Sequence, residues 1–171
     1  MILVIGGRCQ GKKAFVEKFL LPSLEEPVVS GPSAAFGPSA AFGLSAASGQ
    51  SGPSGMPGPP VIWTHGAGAD WGTFMDGMYC DDLHLFIRRL MLGESVCGEG
   101  RGADGIRGMA DALMKANPDR ILVTDEIGYG IVPVDPFERQ YRETAGRICC
   151  QAAGYASQVW RVCCGIGQRI K

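Results

Sequence analysis

The chain begins Met1-Ile2-Leu3-Val4-Ile5 and runs directly into Gly6-Gly7-Arg8-Cys9-Gln10-Gly11-Lys12-Lys13. Nothing else in the sequence limits the fold as much. A short apolar run that stops at paired glycines reads as a buried strand, Ile2 to Ile5. Ala14 to Leu21 reads as the following helix, with Phe15, Phe19, Val16 and Leu20 on its inner face and Pro22 as its stop. Strand, tight glycine turn and helix make the first half of a βαβ unit and commit the chain to an α/β architecture. The spacing Gly6-x-x-x-x-Gly11-Lys12 also meets the Walker A pattern up to its last position. Glycines let a backbone wrap a phosphate with successive N–H groups pointing inward, and a helix N-terminus favours the negative charge. Lys12 would reach the β- and γ-phosphates as a point charge. The residue that usually ligates magnesium through a hydroxyl is here Lys13. Gly6, Gly7, Arg8, Cys9, Gln10, Gly11, Lys12 and Lys13 are therefore the candidate nucleotide-binding segment; the competing reading is a tight turn with both lysines in water.

The rest of the chain extends the alternation. Val61 to Thr64 reads as a second strand that ends at His65 and a glycine-rich turn. Asp82 to Met91 reads as a helix, with Leu83, Phe86, Ile87 and Leu90 at helical spacing, Asp81 or Asp82 as cap and Gly93 as stop. Residues 94 to 105 form a glycine-rich connection, and Ile106 to Ala116 a weaker helix. Ile121 to Thr124 is a buried strand with Asp125 and Glu126 at its C-terminal end, followed by a loop from Ile127 to Pro133. Asp135 and Pro136 mark the cap and first position of a long helix, with Phe137, Tyr141, Ile148, Ala152 and Tyr155 on one face. Val159 to Cys163 is a further strand, and Gly165 to Lys171 a turn with a short terminal strand or tail. Apolar strands without clean alternation point to a mostly parallel central sheet covered by helices on both faces.

With 171 residues the sequence reads as one domain, residues 1–171, since domains commonly run to about 100–200 residues. Residues 31–60 interrupt it with the six-residue rhythm GPSAAF, GPSAAF, GLSAAS, GQSGPS, GMPGPP. That period suits neither strand nor helix, and small side chains bury too little area to offset backbone ordering, so the segment reads as a flexible insertion. Sixteen basic residues against 17 acidic ones, with no long run of either sign, argue against a nucleic-acid binder that relies on phosphate neutralisation, although folding could still assemble a local basic cluster. The seven cysteines include no CxxC pair and no zinc-type spacing with the two histidines, as in a reduced, cytoplasmic protein. No run approaches the about 18 apolar residues of a membrane span, and the five-residue apolar start lacks the features of a signal peptide.

Beyond the loop, the chemistry concentrates at strand ends. A carboxylate at the end of Ile121–Thr124 can approach a metal or its water, and Glu126 is the favoured acid, with Asp125 behind it. His65 follows a strand and can serve as base or nucleophile, against a plain loop histidine; His84, between Leu83 and Leu85, reads as structural. Asp81 and Asp82 are further metal candidates, against capping. Arg88, Arg89, Arg139, Arg142 and Arg147 could clamp an anion, against solvated helix surface. Trp63, Trp71 and Trp160 read as core or rim.

The segments MILVIGGRCQGKKAF at 1–15, ILVTDEIGYGIVPVDPFERQYRETAGRICCQAA at 121–153 and VWRVCCGIGQRIK at 159–171 resemble the bifunctional adenosylcobinamide kinase/adenosylcobinamide-phosphate guanylyltransferase family, as a short, divergent member. The shared pattern joins the N-terminal loop to Glu126, Gly128, Gly130, Val132-Pro133 and Ala145-Gly146-Arg147. The resemblance implies a P-loop nucleotide-binding fold and a transferase of cobalamin biosynthesis with two activities. One phosphorylates adenosylcobinamide; the other transfers GMP from GTP to adenosylcobinamide phosphate through a guanylylated histidine. It implies GTP or ATP as cofactor, a small homo-oligomer, a phosphate role for Gly6, Gly7, Gly11 and Lys12, and a site role for Glu126 and Arg147. Magnesium would fall to Glu126, to Asp81 or Asp82, or to the nucleotide and water. Neither histidine sits in the family's histidine-bearing motif, so the catalytic set is Lys12, Glu126 and, by its place after a strand, His65. The alternative is a catalytically inactive nucleotide-binding regulatory or partner protein, which Lys13 and the missing histidine motif favour.

Overall fold

The computed structural model describes residues 1–25, 61–94 and 106–171. The hexad repeat of 31–60 and the glycine-rich connection after Glu94 lie outside the described residues, apart from Glu94 itself. β1 (Ile2–Gly6) leads through loop 7–11 into α1 (Lys12–Phe15), which continues as a π-helical turn (Val16–Leu20) and then as α2 (Leu21–Glu25). β2 (Trp63–His65), α3 (Trp71–Asp76), β3 (Tyr79–Asp81) and α4 (Leu83–Met91) follow. The chain closes with α5 (Met109–Ala116), β4 (Ile121–Asp125), α6 (Pro136–Tyr155), β5 (Gln158–Cys163) and β6 (Ile166–Arg169).

The fold is mixed α/β, a central six-stranded sheet in the order β2-β3-β4-β1-β5-β6 with helices against it. β1 lies at its centre, paired in parallel with β4 and β5, and β3 pairs in parallel with both β2 and β4; β6 returns antiparallel to β5. Period-two alternation splits the strands between two cores. Leu3, Cys80, Leu122 and Val159 face the cluster built with α3, α4, α5 and α6, whereas Ile2, Val4, Ile121, Val123 and Val162 face Phe15, Val16 and Leu20. Both faces are thus covered, which explains why β1 and β4 read as continuous apolar runs.

Several details depart from the sequence reading. Pro22 does not stop the first helix. It sits inside the continuous helix, at the second residue of α2, just after a π turn whose wider i→i+5 bond from Leu21 to Val16 shifts the register. Phe19, expected inside, is exposed and stacks on Phe15, because the same register shift rotates it away from the sheet. β2 starts at Trp63 rather than Val61, and Ile62 is exposed. Tyr155 is also exposed; its hydroxyl reaches the Asp111 carboxylate at the last turn of α6. The three tryptophans all lie half-buried at the rim.

The Asp135 cap holds as expected, its carboxylate accepting from the Phe137 N–H at 3.0 Å with Pro136 at the first helical position. Asp82 occupies the N-cap position of α4 without a side-chain cap bond, in a left-handed conformation (φ 53°). α3 is a short helix whose N-cap Asp70 accepts from the Thr73 N–H at 2.8 Å. At its other end Arg120, fully buried, donates to the carbonyls of Phe74 and Met75 and to that of Asn117 at 3.0 Å, so a cation closes the negative end of the helix. Among the described residues, no helix is long and apolar enough to cross a membrane.

Candidate functional site

Parallel pairing brings the C-terminal ends of β1, β4, β3 and β2 to one edge of the sheet, the edge where open α/β sheets bind ligands. The register aligns Gly6 with Asp125 and His65 with Asp81. Loop 7–11 is fixed against this edge by two positions that favour glycine. A Cβ on Gly6 would lie 2.3 Å from the Val162 carbonyl oxygen, and Gly11, the N-cap of α1, has φ 78°. Gln10 ties the loop to the β5–β6 turn: its side-chain oxygen accepts from the Cys164 N–H at 2.6 Å and its backbone carbonyl from the Gly165 N–H at 2.9 Å.

Lys12 folds back over the loop. Its buried ammonium donates to the Gly7 carbonyl at 2.8 Å and to Asp125 Oδ1 at 2.5 Å. The strand-end acid that meets the loop is therefore Asp125. Glu126, the acid favoured from sequence, donates its N–H to the Gly6 carbonyl but turns its carboxylate to Arg161, 3.3 Å away. Arg161 also donates to the Tyr129 hydroxyl at 3.2 Å, and Glu126, Tyr129 and Arg161 line a cleft of about 660 Å³ together with Gly7, Gln10 and Cys163.

His84 is the residue whose part sequence reasoning missed. It is buried behind Asp125, its Nδ1 accepting from the Asp125 N–H at 3.3 Å and its Nε2 lying 3.6 Å from Asp125 Oδ2. Burial holds its pKa below the ordinary value of 6.5, against the opposing pull of Asp125. The imidazole is neutral when Nδ1 accepts, and its backbone carbonyl is pinned by the Tyr141 hydroxyl at 2.9 Å. The helix that carries His84 was visible in the spacing, but its packing against the end of β4 was not.

A second group forms on β2 and β3. Asp81 is buried; one carboxylate oxygen meets His65 Nδ1 at 2.7 Å and the other meets the Lys13 ammonium at 3.1 Å. Lys13 also lies over the Trp63 ring, 4.9 Å from its centre. His65 itself is exposed, so Nε2 is open to solvent while Nδ1 is held. Donor atoms of His65, Asp81 and Asp82 all lie within 4.8 Å of one another, a geometry able to hold a metal ion. The acids named as alternative metal ligands thus lie in different groups: Asp82 joins His65 and Asp81, and Glu126 joins Arg161.

The arginines divide in the same way. Arg139 donates to the carbonyls of Pro133 and Val134, and Arg142 to that of Ile131, pinning the loop before α6. Arg88 pairs with Glu138 at 3.0 Å, and Arg89 donates to the carbonyls of Gly66 and Ala69. Arg147, carried over as a nucleotide contact, pairs with Glu143 one helical turn away and lines a different cavity, along α6 with Gln140 and Thr144. Arg8 and Cys9 stand exposed at the tip of the loop, Cys9 with φ 59°.

Comparison with known proteins bears on this arrangement. The family described as cobinamide kinase / cobinamide phosphate guanyltransferase matches residues 72–170, more than half of the chain. The bifunctional adenosylcobalamin biosynthesis protein CobU of Escherichia coli (strain K12) is 41% identical over 66 residues, which cover 39% of this chain and 36% of that protein. The protein of the same description from Salmonella typhimurium is 40% identical over 68 residues, 40% of this chain and 38% of that protein. The chain thus spans well under half the length of the curated relatives it matches. The matched family region contains Asp81, Asp125 and Arg161 with the strands that carry them and His84 with its helix, and on it the chain belongs to the cobinamide kinase / cobinamide phosphate guanyltransferase family.

Proposed function

We propose that this chain is a nucleotide-dependent transferase of cobalamin biosynthesis, acting on adenosylcobinamide, on its phosphate, or on both, with loop 6–13 of a P-loop fold as the phosphate site. The observation that carries the reading is Lys12: its ammonium sits at the sheet edge between the Gly7 carbonyl and Asp125, where an incoming phosphate would exchange neutral carbonyl contacts for anionic oxygens. GTP or ATP would lie with its phosphates on the loop, against Gly6, Gly7, Arg8, Cys9, Gln10, Gly11 and Lys12. The cleft of Glu126, Tyr129 and Arg161 beside the loop has room for the rest of a ligand. In direct phosphoryl transfer the substrate hydroxyl attacks the γ-phosphorus in line and Lys12 neutralises the charge that develops on the phosphate oxygens.

For guanylyl transfer, His65 is the nucleophile the geometry favours. Asp81 holds the Nδ1–H and leaves the Nε2 lone pair outward. Nε2 attacks the α-phosphorus of GTP, forming an N–P bond as the bond to pyrophosphate breaks. A phosphate oxygen of the acceptor then attacks the same phosphorus, the N–P bond breaks, and His65 is regenerated. Asp81 stabilises the imidazolium between the two steps.

Magnesium, expected with any P-loop, does not fit the residues that face the loop. Position 13 offers an ammonium, and Asp125, Asp81 and Glu126 are each engaged by a cationic side chain. No step above passes through a metal.

Mass spectrometry after incubation with GTP and adenosylcobinamide tests the proposal. Expected are a phosphorylated or guanylylated acceptor and a GMP adduct on the protein that disappears in His65→Ala. An adduct that survives His65→Ala removes His65 from the mechanism. Nucleotide binding without either product points instead to the regulatory or partner role, which Lys13 in place of the usual hydroxyl residue favours.

A further inference from the structure

Two consecutive lysines meet two strand-end aspartates: Lys12 pairs with Asp125 at 2.5 Å and Lys13 with Asp81 at 3.1 Å. Lys13 occupies the position of the loop where a hydroxyl would ligate a divalent ion. Its ammonium is held on the sheet side by the Asp81 carboxylate and the Trp63 ring. We propose that Lys13 is a tethered cation that takes the place of the divalent metal, so that this site binds a nucleoside triphosphate in its metal-free form. The inference rests on the phosphate-site reading above.

The charge pattern leads there. Asp125, Asp81 and Glu126, at or just past the ends of β4 and β3, are each met by a cation: Lys12, Lys13 and Arg161. Both oxygens of Asp81 are engaged, one by Lys13 and one by His65. A divalent ion entering among them would have to displace an ammonium and lose a charge-assisted contact for each ligand it gained. Asp82 keeps a carboxylate without a cap bond, but the set it forms with the His65 imidazole and Asp81 mixes nitrogen with oxygen and shares Asp81 with Lys13, which suits it poorly to magnesium, an ion that takes oxygen ligands in strict octahedral geometry. Lys13 has the reach for the opposite role. Its side chain is 40% exposed, and its flexible stem lets the ammonium turn from Asp81 to a phosphate oxygen.

Calorimetric titration with GTP and with ATP, each in excess Mg²⁺ and in EDTA, tests this on the full chain. Wild type is expected to bind the metal-free triphosphate at least as tightly as its magnesium complex. Lys13→Ser is expected to weaken metal-free binding by about tenfold, the scale of one lost charge-assisted contact, and to make the magnesium complex the tighter ligand. Lys13→Arg keeps the charge and is expected to keep the wild-type preference. Wild-type binding that vanishes in EDTA overturns the inference and leaves the phosphate site standing. An unchanged metal preference in Lys13→Ser also overturns it. Absence of binding under every condition overturns the phosphate-site reading itself, and the inference with it.

Discussion

Lys12 and Lys13 are neighbours in the chain, yet they occupy two different electrostatic environments. Lys12 is buried against a buried partner, with side-chain exposures of 9% and 13% for Lys12 and Asp125, and His84 closes the far side of the pair. Lys13 pairs with a more deeply buried carboxylate but keeps 40% of its own side chain in water. Successive residues of a helix point about 100° apart, so one lysine turns beneath the loop toward β4 and the other across the sheet edge toward β3. The first pair is built into the fold; the second has a cation free to move. A buried pair holds structure because breaking it strands a charge, whereas a half-exposed pair contributes little stability and is free to serve a ligand.

The difference can be broken most sharply at Lys12. Lys12→Ala leaves the Asp125 carboxylate buried beside a neutral imidazole, and a loss of about 2–3 kcal/mol in urea-unfolding stability is expected. Nucleotide affinity is expected to fall by about 100-fold, and adding Asp125→Asn should recover stability without recovering binding. Recovery of both would mean that the pair is purely structural.

A smaller effect is expected from His84, which backs the same pair. Its pKa is depressed in the folded protein, so the unfolded chain takes up the proton first as pH falls. The stability gained from a neutral His84 is complete above the ordinary pKa of 6.5 and is lost as pH falls through the lower folded value. Urea midpoints measured between pH 8 and pH 5 should therefore drop more steeply in wild type than in His84→Gln. Parallel curves for the two proteins would show that His84 is not the group responsible.

The smallest change in stability belongs to the second pair. Asp81→Asn is expected to cost about 1 kcal/mol or less, since Lys13 can return to water. The yield of the GMP adduct should nevertheless fall by at least about tenfold, because His65 loses the partner that fixes its tautomer. An adduct yield equal to wild type would separate Asp81 from the chemistry and leave it as a support for Lys13 alone.

Much of the fold was legible where elements are long or carry punctuation. β1 with its glycine loop, β4, the Asp135–Pro136 start of α6 and the β5–β6 turn all follow from apolar runs, caps and glycines. α3 and β3 were not, because six and three residues are too short to show a period. Arg120 carries no sequence signal for its buried place, since the carbonyls it satisfies belong to a helix more than forty residues earlier. Pro22 and Phe19 misled because a π turn shifts the register by one residue, which no side-chain pattern in this segment announces.

The sequence by itself determined the chemical groups of the site: a glycine loop able to wrap an anion, two lysines at its end, two acids after a buried strand, and a lysine where a hydroxyl usually stands. Only the tertiary structure decided how they pair. Asp125 is the last residue of β4 and lies in parallel register with Gly6, which sets it beside the loop, whereas Glu126 falls just past the strand and turns to Arg161. The same long-range register set Asp81 beside His65. Lys13, read along the chain as a missing metal ligand, becomes in the folded protein a positive charge held at the sheet edge, because an ammonium takes its role from the carboxylate it reaches and not from its neighbours in sequence.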